Sequence, residues 1–201
     1  MEAWILWGRR PTMSELVFLL EEESARAMLE GLLPRLLPDG LPVRFIVFEG
    51  KSDLEKHIVQ RLRYYRTPGA RFVVLRDKDA GDCHLIKAGL VAKCRQANKP
   101  DTLVRIACHE LESWYLADLE AVKQALNIHG LEAKQGKNKF RQPDALSNAV
   151  EEFTKLTQNK YQKVSGSRAI GPYLNLANNR SQSFATFIAG VRRLIIAAQS
   201  D

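Results

Sequence analysis

The sequence contains few cysteines, no long apolar run and, in its last third, few acids. The cysteines Cys83, Cys94 and Cys108 are too few for a disulfide framework, which indicates a reducing compartment. The apolar run LVFLL at 16–20 is followed at once by glutamates, so it is too short for a membrane span or a signal segment. These absences favour a cytoplasmic protein that does not use a membrane.

Charge is distributed unevenly along the chain. The formal net charge is +7, yet residues 1–133 contain 19 basic and 19 acidic side chains. Residues 134–201 contain 11 Lys and Arg against 4 Asp and Glu, so the whole excess lies in this last third. Such asymmetry indicates an anionic partner, most simply nucleic acid, although a well-solvated basic face would have the same composition.

Strand-like and helix-like segments alternate in the first half of the chain. Apolar, β-rich runs predict four strands, at 15–20, 42–50, 71–77 and 102–108. Segments of helical periodicity between them predict three helices, at 24–38, 52–66 and 84–98. Because this alternating order requires parallel strands, we expect an α/β fold whose four-stranded parallel sheet is flanked by helices.

The second half of the chain has a different pattern. Helical periodicity predicts helices at 110–126, 145–158 and 183–199. The segment 130–144 is polar, basic and rich in turn residues, and we predict a loop there that is mobile or faces a substrate. This half is therefore expected to be a mostly helical, basic extension.

The change of pattern predicts how the chain is divided into domains. Residues 14–110 would form the α/β domain, and residues 111–201 the helical extension packed on it. Met13 begins a stretch that resembles a natural start, so residues 1–13 are predicted to be a flexible leader.

Acidic residues follow all four predicted strands. The carboxyl ends of parallel strands form one rim of the sheet, where binding sites occur. The acids at that rim are Glu21, Glu22, Glu23, Glu49, Asp77, Asp79, Glu110 and Glu112. Clustered carboxylates repel one another, and their hard oxygens suit Mg²⁺ or Mn²⁺, so the pattern predicts a divalent metal site. Acids would also occur at these positions if they were only exposed to solvent or capped the next helix. Asp82 is a candidate cap for the third helix.

Two of these acidic motifs resemble those of the Toprim domain of topoisomerases, primases and OLD-family nucleases. Glu21 lies in LVFLLEEES, and Asp77 and Asp79 lie in FVVLRDKD, which match the family's glutamate after the first strand and D-x-D after the third. The stretches GKSDLEKHIVQRLRYY, VRIACHELESWYLADLEAV and YQKVSGSRAI are similar to the bacterial Toprim-like family catalogued as domain of unknown function 4276. This resemblance covers almost the whole chain from residue 14 and implies a Toprim-like fold.

The resemblance implies a role for each matching acid. Asp77 and Asp79 would ligate Mg²⁺ or Mn²⁺, and Glu21 would complete the ligand shell or act as general acid or base. Independently of the resemblance, Glu112 at the end of the fourth strand could hold a second metal ion. An alternative explanation is equally good: Glu110 and Glu112 could be ordinary acids in the first turn of a helix, where negative charge is favourable.

The sequence departs from the Toprim pattern at the glutamate. Glu22 follows Glu21 where Toprim domains usually have glycine. Glu49 lies in FEGKSD, which locally resembles the Toprim glutamate motif more closely than LEEES does. Chain order favours Glu21, because only one helix separates Glu49 from the third strand. Glu22 and Glu49 therefore remain the alternative acids.

Basic side chains of the second half form the predicted nucleic-acid surface. They are Lys134, Lys137, Lys139, Arg141, Lys160, Lys163 and Arg168. Cations can follow a phosphate backbone, and the interleaved Phe140 and Tyr161 could stack on bases. The stretch KVSGSRAIGP at 163–172 is predicted as a Gly/Ser turn whose N–H groups could hold a phosphate. Trp114 and Tyr115 are expected in the core instead.

Together these features predict Mg²⁺-dependent phosphodiester chemistry on nucleic acid, most simply by a Toprim-type nuclease in phage defence or DNA processing. An ATPase partner follows only by analogy with OLD-type nucleases. The alternative is a non-catalytic Toprim-like module that binds nucleic acid or a protein partner. A phosphorylatable acidic pocket of the receiver type is a third, weaker hypothesis.

Overall fold

The computed structural model describes residues 13–178 and 180–199. The predicted leader therefore lies outside the described residues, apart from Met13, which packs against the main core. Within the described part of the chain, no helix is long and apolar enough to cross a membrane.

The first half of the chain contains the four predicted strands and three predicted helices. The strands are β1 (Glu15–Leu20), β2 (Val43–Val47), β3 (Ala70–Asp77) and β4 (Leu103–Ala107). The helices between them are α1 (Glu23–Leu32), α2 (Lys51–Arg63) and α3 (Cys83–Gln96). The first helix is shorter than predicted, because Pro34 has no N–H group and the chain continues as a single 3₁₀ turn.

The second half is helical, as predicted, but its boundaries differ. Its helices are α4 (Glu112–Leu116), α5 (Leu119–Leu126), α6 (Asn138–Arg141), α7 (Ala149–Leu156), α8 (Lys163–Ile170) and α9 (Gln182–Gln199). The prediction of one continuous helix over 110–126 is wrong. The helix is interrupted before Asp118, whose carboxylate caps α5 and also accepts the N–H of Asn175 at 2.8 Å.

Two further predictions for this half are corrected by the structure. The predicted turn at 163–172 is helix α8, in which Gly166 allows close packing against the ring of Tyr161. The predicted loop at 130–144 contains short helical turns, including α6, and is anchored by Phe140, which is 1% exposed. In both segments tertiary packing outweighs the local preference of Gly, Ser and Asn for turns.

The sheet has the strand order β2-β1-β3-β4, and all neighbouring strands are parallel. All six residues of β1 are buried. Leu20 of β1 pairs with Leu75 of β3, and Asp77 of β3 pairs with Ala107 of β4. The predicted α/β fold with a four-stranded parallel sheet is therefore confirmed.

Side chains alternate between two cores on the two faces of the sheet. In β1, Phe18 belongs to the core formed with α1 and the C-terminal helices, whereas Leu19 belongs to the core formed with α2 and α3. The chain therefore leaves β1 towards one face and leaves β3 towards the other. In open parallel sheets, ligand sites are expected where two such loops diverge, which here is at the carboxyl ends of β1 and β3.

The larger core is continuous across the predicted domain boundary at residue 110. It contains residues of β1 and α1 together with Trp114, Tyr115 and residues of α9. Trp114 and Tyr115 are 1% and 0% exposed, so their predicted place in the core is confirmed. The division into two domains remains a prediction.

Candidate functional site

Glu21 and Asp77 meet at the adjoining ends of β1 and β3. The backbone N–H of Asp77 donates to Oε2 of Glu21 at 3.2 Å. Nε of Arg76 lies 3.7 Å from the same oxygen, while another nitrogen of its guanidinium donates to Glu55. Arg76 is itself buried, so it offsets part of the negative charge from inside the sheet. The strand register thus brings the two predicted residues into one site.

Glu21 and Asp77 have raised pKa values. Burial is the main cause of the raised pKa of Glu21, and the negative charge of Asp79 adds to it. Burial also raises the pKa of Asp77 well above its usual range, and the charges of Glu112, Glu22 and Glu21 add to it. Repulsion and loss of hydration both disfavour ionised carboxyls here, and a bound cation would relieve both.

Asp79 is held in an uncommon backbone conformation beside His109. The φ angles of Asp79 and His109 are 52° and 60°, in the left-handed region that non-glycine residues rarely adopt. The N–H of Asp79 donates to the carbonyl of His109 at 2.8 Å. The Asp79 carboxylate accepts from Nζ of Lys51, at the start of α2, at 2.8 Å. Residues in this conformation persist only where the surrounding structure compensates for their strain, and they are often found at functional sites.

Glu22 contacts a cation from the second half of the chain. Its Oε2 accepts from Nζ of Lys163, at the start of α8, at 2.7 Å. Burial alone would lower the pKa of Lys163, but Glu22, Glu112 and Asp77 outweigh it and raise that pKa above its usual value. Lys163 therefore stays charged at neutral pH and links α8 to the strand-end acids.

Glu112 is fully buried and only partly hydrogen-bonded. The Tyr161 hydroxyl donates to Oε1 of Glu112 at 2.7 Å, whereas Oε2 has no hydrogen-bond partner among the described residues. Burial is the main cause of its raised pKa. Ser167 lies 3.2 Å from the Tyr161 oxygen and accepts from the Tyr115 hydroxyl at 2.8 Å. A buried carboxylate oxygen without a partner costs free energy, which a proton or a cation would recover.

The other strand-end acids have different surroundings. Glu49 is exposed, and its backbone N–H donates to the Asp53 carboxylate at 3.0 Å. The Glu110 carboxylate accepts from the N–H of Val150 at 2.9 Å, at the start of α7. Asp82 is the N-cap of α3, as the sequence suggested. Of the two alternative acids, Glu22 therefore lies at the site, and Glu49 is turned to solvent.

The donors suit a hard divalent cation in kind, because they are carboxylate oxygens. Among the described residues, however, no group of three His, Cys, Asp or Glu side chains is arranged to hold a metal ion. Instead, the ammonium group of Lys51 forms an ion pair with the Asp79 carboxylate, and that of Lys163 forms one with the Glu22 carboxylate. Ammonium groups and divalent cations compete for the same oxygens, so a metal ion would have to displace at least one of them. The unpartnered oxygen of Glu112 fits an additional cation.

The basic residues predicted to bind nucleic acid fall into separate groups. Lys134, Lys137 and Lys139 line one cavity of about 230 Å³, whereas Lys163 lies with the acids. Arg141 donates to the Gly136 carbonyl at 3.1 Å. Lys160 and Arg168 are exposed.

The predicted base-stacking platform is not present. Phe140 and Tyr161 are 1% and 6% exposed, because both rings pack in the core. The aromatic part of the nucleic-acid prediction is therefore wrong for these two residues.

Sequence reasoning missed several residues of the site. Lys51 follows β2 by a few positions, so the strand-end rule that selected the acids could have found it. Arg76 lies within the apolar strand β3. A charged residue in such a strand could have indicated a site residue. Tyr161 lies 49 positions from Glu112, and no local pattern links the two.

The family of the chain follows from its sequence match. Residues 20–192 match the family described as Domain of unknown function (DUF4276). The chain belongs to this family. The predicted family is confirmed, and the site lies within the matched residues. A search of the curated proteins found no match.

Solved structures of OLD proteins share the fold. The C-terminal region of the Burkholderia pseudomallei OLD protein is 15% identical, with a TM-score of 0.53, covering 90% of this chain and 98% of that one. The C-terminal region of the Xanthomonas campestris pv. campestris OLD protein is also 15% identical, with a TM-score of 0.51, covering 94% and 100%. At this identity the likeness shows the fold alone, and it confirms the predicted Toprim-like architecture.

Proposed function

We propose that this DUF4276 chain hydrolyses phosphodiester bonds of nucleic acid with Mg²⁺ or Mn²⁺, as a Toprim-type nuclease. The observation that carries the proposal is the contact between Glu21 and Asp77 at the carboxyl ends of β1 and β3. Structural likeness to OLD proteins supports the fold on which the proposal depends.

Each acid has a role in this proposal. Asp77 and Asp79 would hold the metal ion, which when bound would orient the phosphodiester, offset its charge and activate water. Glu21 would complete the ligand shell or transfer a proton, and its raised pKa brings it closer to the working pH of a general base. Glu112 would hold a second cation, since its Oε2 is unpartnered among the described residues.

The surroundings of the site support an anionic substrate. Lys51 and Lys163 supply positive charge beside the acids, which an incoming phosphate requires. The cysteines are unpaired, which is in keeping with a cytoplasmic location. An ATPase partner, implied by the resemblance to OLD-type nucleases, is part of the same proposal.

A non-catalytic module that binds nucleic acid is the second candidate function. The observation that favours it is that lysine ammonium groups already neutralise Asp79 and Glu22. Such a module would bind nucleic acid with a strong dependence on salt, and this binding would survive loss of Asp77 and Asp79.

Cleavage assays test the proposal. Labelled single- and double-stranded DNA and RNA would be incubated with Mn²⁺ and the wild-type chain, Asp77→Asn or Asp82→Asn. Asp82→Asn is the matched control, because it makes the same change at a helix cap where Asn functions well. We expect cleavage by wild type and control, and a loss of at least about a hundredfold in Asp77→Asn. If the wild-type chain binds Mn²⁺ but cleaves none of the four substrates, the binding module is the better account.

A further inference from the structure

A second cavity lies beside the outer edge of the sheet, between α3, β4 and α9. We call it the β4 cavity; its volume is about 310 Å³. Its lining residues include no Asp or Glu, and its polar members are His84, Lys87, Arg105, Gln182, Ser183 and Thr186. It therefore differs in charge from the acidic strand-end site.

Arg105 is the central cation of the β4 cavity. Its guanidinium donates to the carbonyls of Thr186 and Val104 at 3.1 and 2.8 Å, and no ion pair among the described residues includes it. Gly190 lets α9 approach this group closely, since a Cβ there would lie 2.5 Å from Nη2. Burial and the neighbouring Arg193 lower the pKa of Arg105. A half-buried cation beside a second cation is unfavourable, and an anion would relieve it.

Lys87 adds to the positive potential of the β4 cavity. His84 lies three positions before it on α3, so the two residues share one side of that helix. Asp144 is a carboxylate close to the cavity, because its charge contributes to the raised pKa of Cys108. Both oxygens of Asp144 are already engaged, by the Ser181 hydroxyl at 2.7 Å and the Ser183 N–H at 2.8 Å. Arg105 therefore lacks a carboxylate partner in its own cavity.

The β4 cavity adjoins the strand-end site along the chain. Cys83 lines the cavity and lies four positions after Asp79. Cys108 also lines it and precedes His109, whose carbonyl accepts from the N–H of Asp79 at 2.8 Å. A strand of nucleic acid at the acids could therefore continue into this cavity.

We propose that the β4 cavity binds a phosphate of the nucleic-acid strand whose neighbouring phosphodiester lies at the strand-end acids. Arginine is suited to this role, because its planar fork matches phosphate oxygens. This inference rests on the proposed function and adds a basic subsite that is independent of the metal.

The test is binding of a fluorescein-labelled ten-nucleotide single-stranded DNA in EDTA, followed by anisotropy at several salt concentrations. The test variant is Lys87→Gln/Arg193→Gln, which leaves Arg105 and its carbonyl bonds in place and changes only exposed residues. The control is Lys56→Gln/Arg95→Gln, which removes the same charge at exposed positions outside the cavity.

We expect the test variant to bind about tenfold more weakly than the control, with a salt slope smaller by about 0.7 for each phosphate that the protein no longer neutralises. Equal affinities of the test variant and the control would overturn the inference. Tighter binding of free adenosine monophosphate than of the DNA would assign the cavity to a small nucleotide and also overturn it. Mn²⁺ titration of the same proteins separates this failure from failure of the proposed function, since Mn²⁺ binding depends on Asp77 and Asp79 and not on the cavity.

Discussion

The strand-end acids Asp79 and Glu22 and the buried acid Glu112 of the helical half have different partners. Asp79 and Glu22 are 37% and 30% exposed at their side chains, and each accepts from a lysine ammonium group. Glu112 is fully buried, and its hydrogen-bond donor is the neutral hydroxyl of Tyr161. The sheet acids can therefore exchange one cation for another, whereas Glu112 must bind a proton or a cation that reaches the interior.

The junction between the two halves should be the most sensitive part of this arrangement. A Cβ at Gly171, directly after α8, would lie 2.2 Å from the carbonyl oxygen of Met28 in α1. Gly171→Ala should lower the free energy of unfolding by about 3 kcal/mol, because neither backbone can move away easily. Urea denaturation measures this change.

The matched control for this junction is Gly89→Ala in α3. A Cβ at Gly89 would meet nothing within 4 Å, so alanine should raise the free energy of unfolding by about 0.5–1 kcal/mol. Equal effects of the two substitutions would show that the α1–α8 contact is not tightly packed.

Glu112→Gln tests whether the buried acid differs from the sheet acids. The pKa of Glu112 is higher in the folded state than in the unfolded state. Protonation of Glu112 therefore stabilises the fold fully below the ordinary pKa of Glu, and this stabilisation is lost as pH rises through the pKa of the folded state. Gln removes the charge and can still accept from Tyr161. At pH 7 we expect the variant to be more stable by about 1–3 kcal/mol, with the difference vanishing towards pH 4.

Thermal unfolding from pH 4 to pH 8 measures this effect of Glu112. Glu120→Gln is the control, because the pKa of the exposed Glu120 is lowered and its stabilisation is lost as pH falls. A variant that follows the wild-type pH profile would contradict the assignment of a buried, charge-sensitive Glu112.

Lys51→Met sharpens the comparison from the side of the sheet. Lys51 contacts Asp79 at 2.8 Å, so its removal should free that carboxylate and tighten Mn²⁺ binding by about tenfold, since one competing charge is removed. Lys78→Met removes a charge next to Asp79 in the sequence but does not remove the contact between Lys51 and Asp79, so it should have a smaller effect on Mn²⁺ affinity. Calorimetry measures both, and equal effects would mean that general electrostatics, not competition, governs the affinity.

The smallest expected effect is at the helix cap. The Asp82 carboxylate accepts from the N–H groups of His84 and Leu85 at 2.7 and 3.0 Å, and both bonds lower its pKa. Asp82→Ala should reduce the melting temperature by a few degrees while leaving Mn²⁺ affinity unchanged. The loss should shrink as pH falls below the ordinary pKa of Asp and disappear below the lowered pKa of folded Asp82, because the carboxylate is then protonated in wild type. Reduced Mn²⁺ affinity would place Asp82 in the metal site.

The sheet half was predictable because its signals are local. An apolar run followed at once by acids marks both a buried strand and the residues at its end, as in β1 and Glu21. Parallel connections then bring those ends to one rim, so Glu21 and Asp77 were expected to meet if β1 and β3 were neighbours, which they are.

The helical half was less predictable because its contacts are distant in sequence. Lys163 lies 141 positions from Glu22, and nothing in KVSGSRAI indicates that partner. The glycine and serines of that stretch suggested a turn, yet Gly166 and Ser167 are buried in α8 against Tyr161. Their small size serves packing, which only the folded structure reveals.

Titration of Mn²⁺ into the wild-type chain and Asp77→Ala/Asp79→Ala by calorimetry tests the central claim most directly. It requires neither a substrate nor a protein partner, and circular dichroism would establish that both proteins are folded. The account predicts binding by wild type and no measurable binding by the double variant. Equal binding by both proteins, or no binding by either, would contradict a metal site at the ends of β1 and β3.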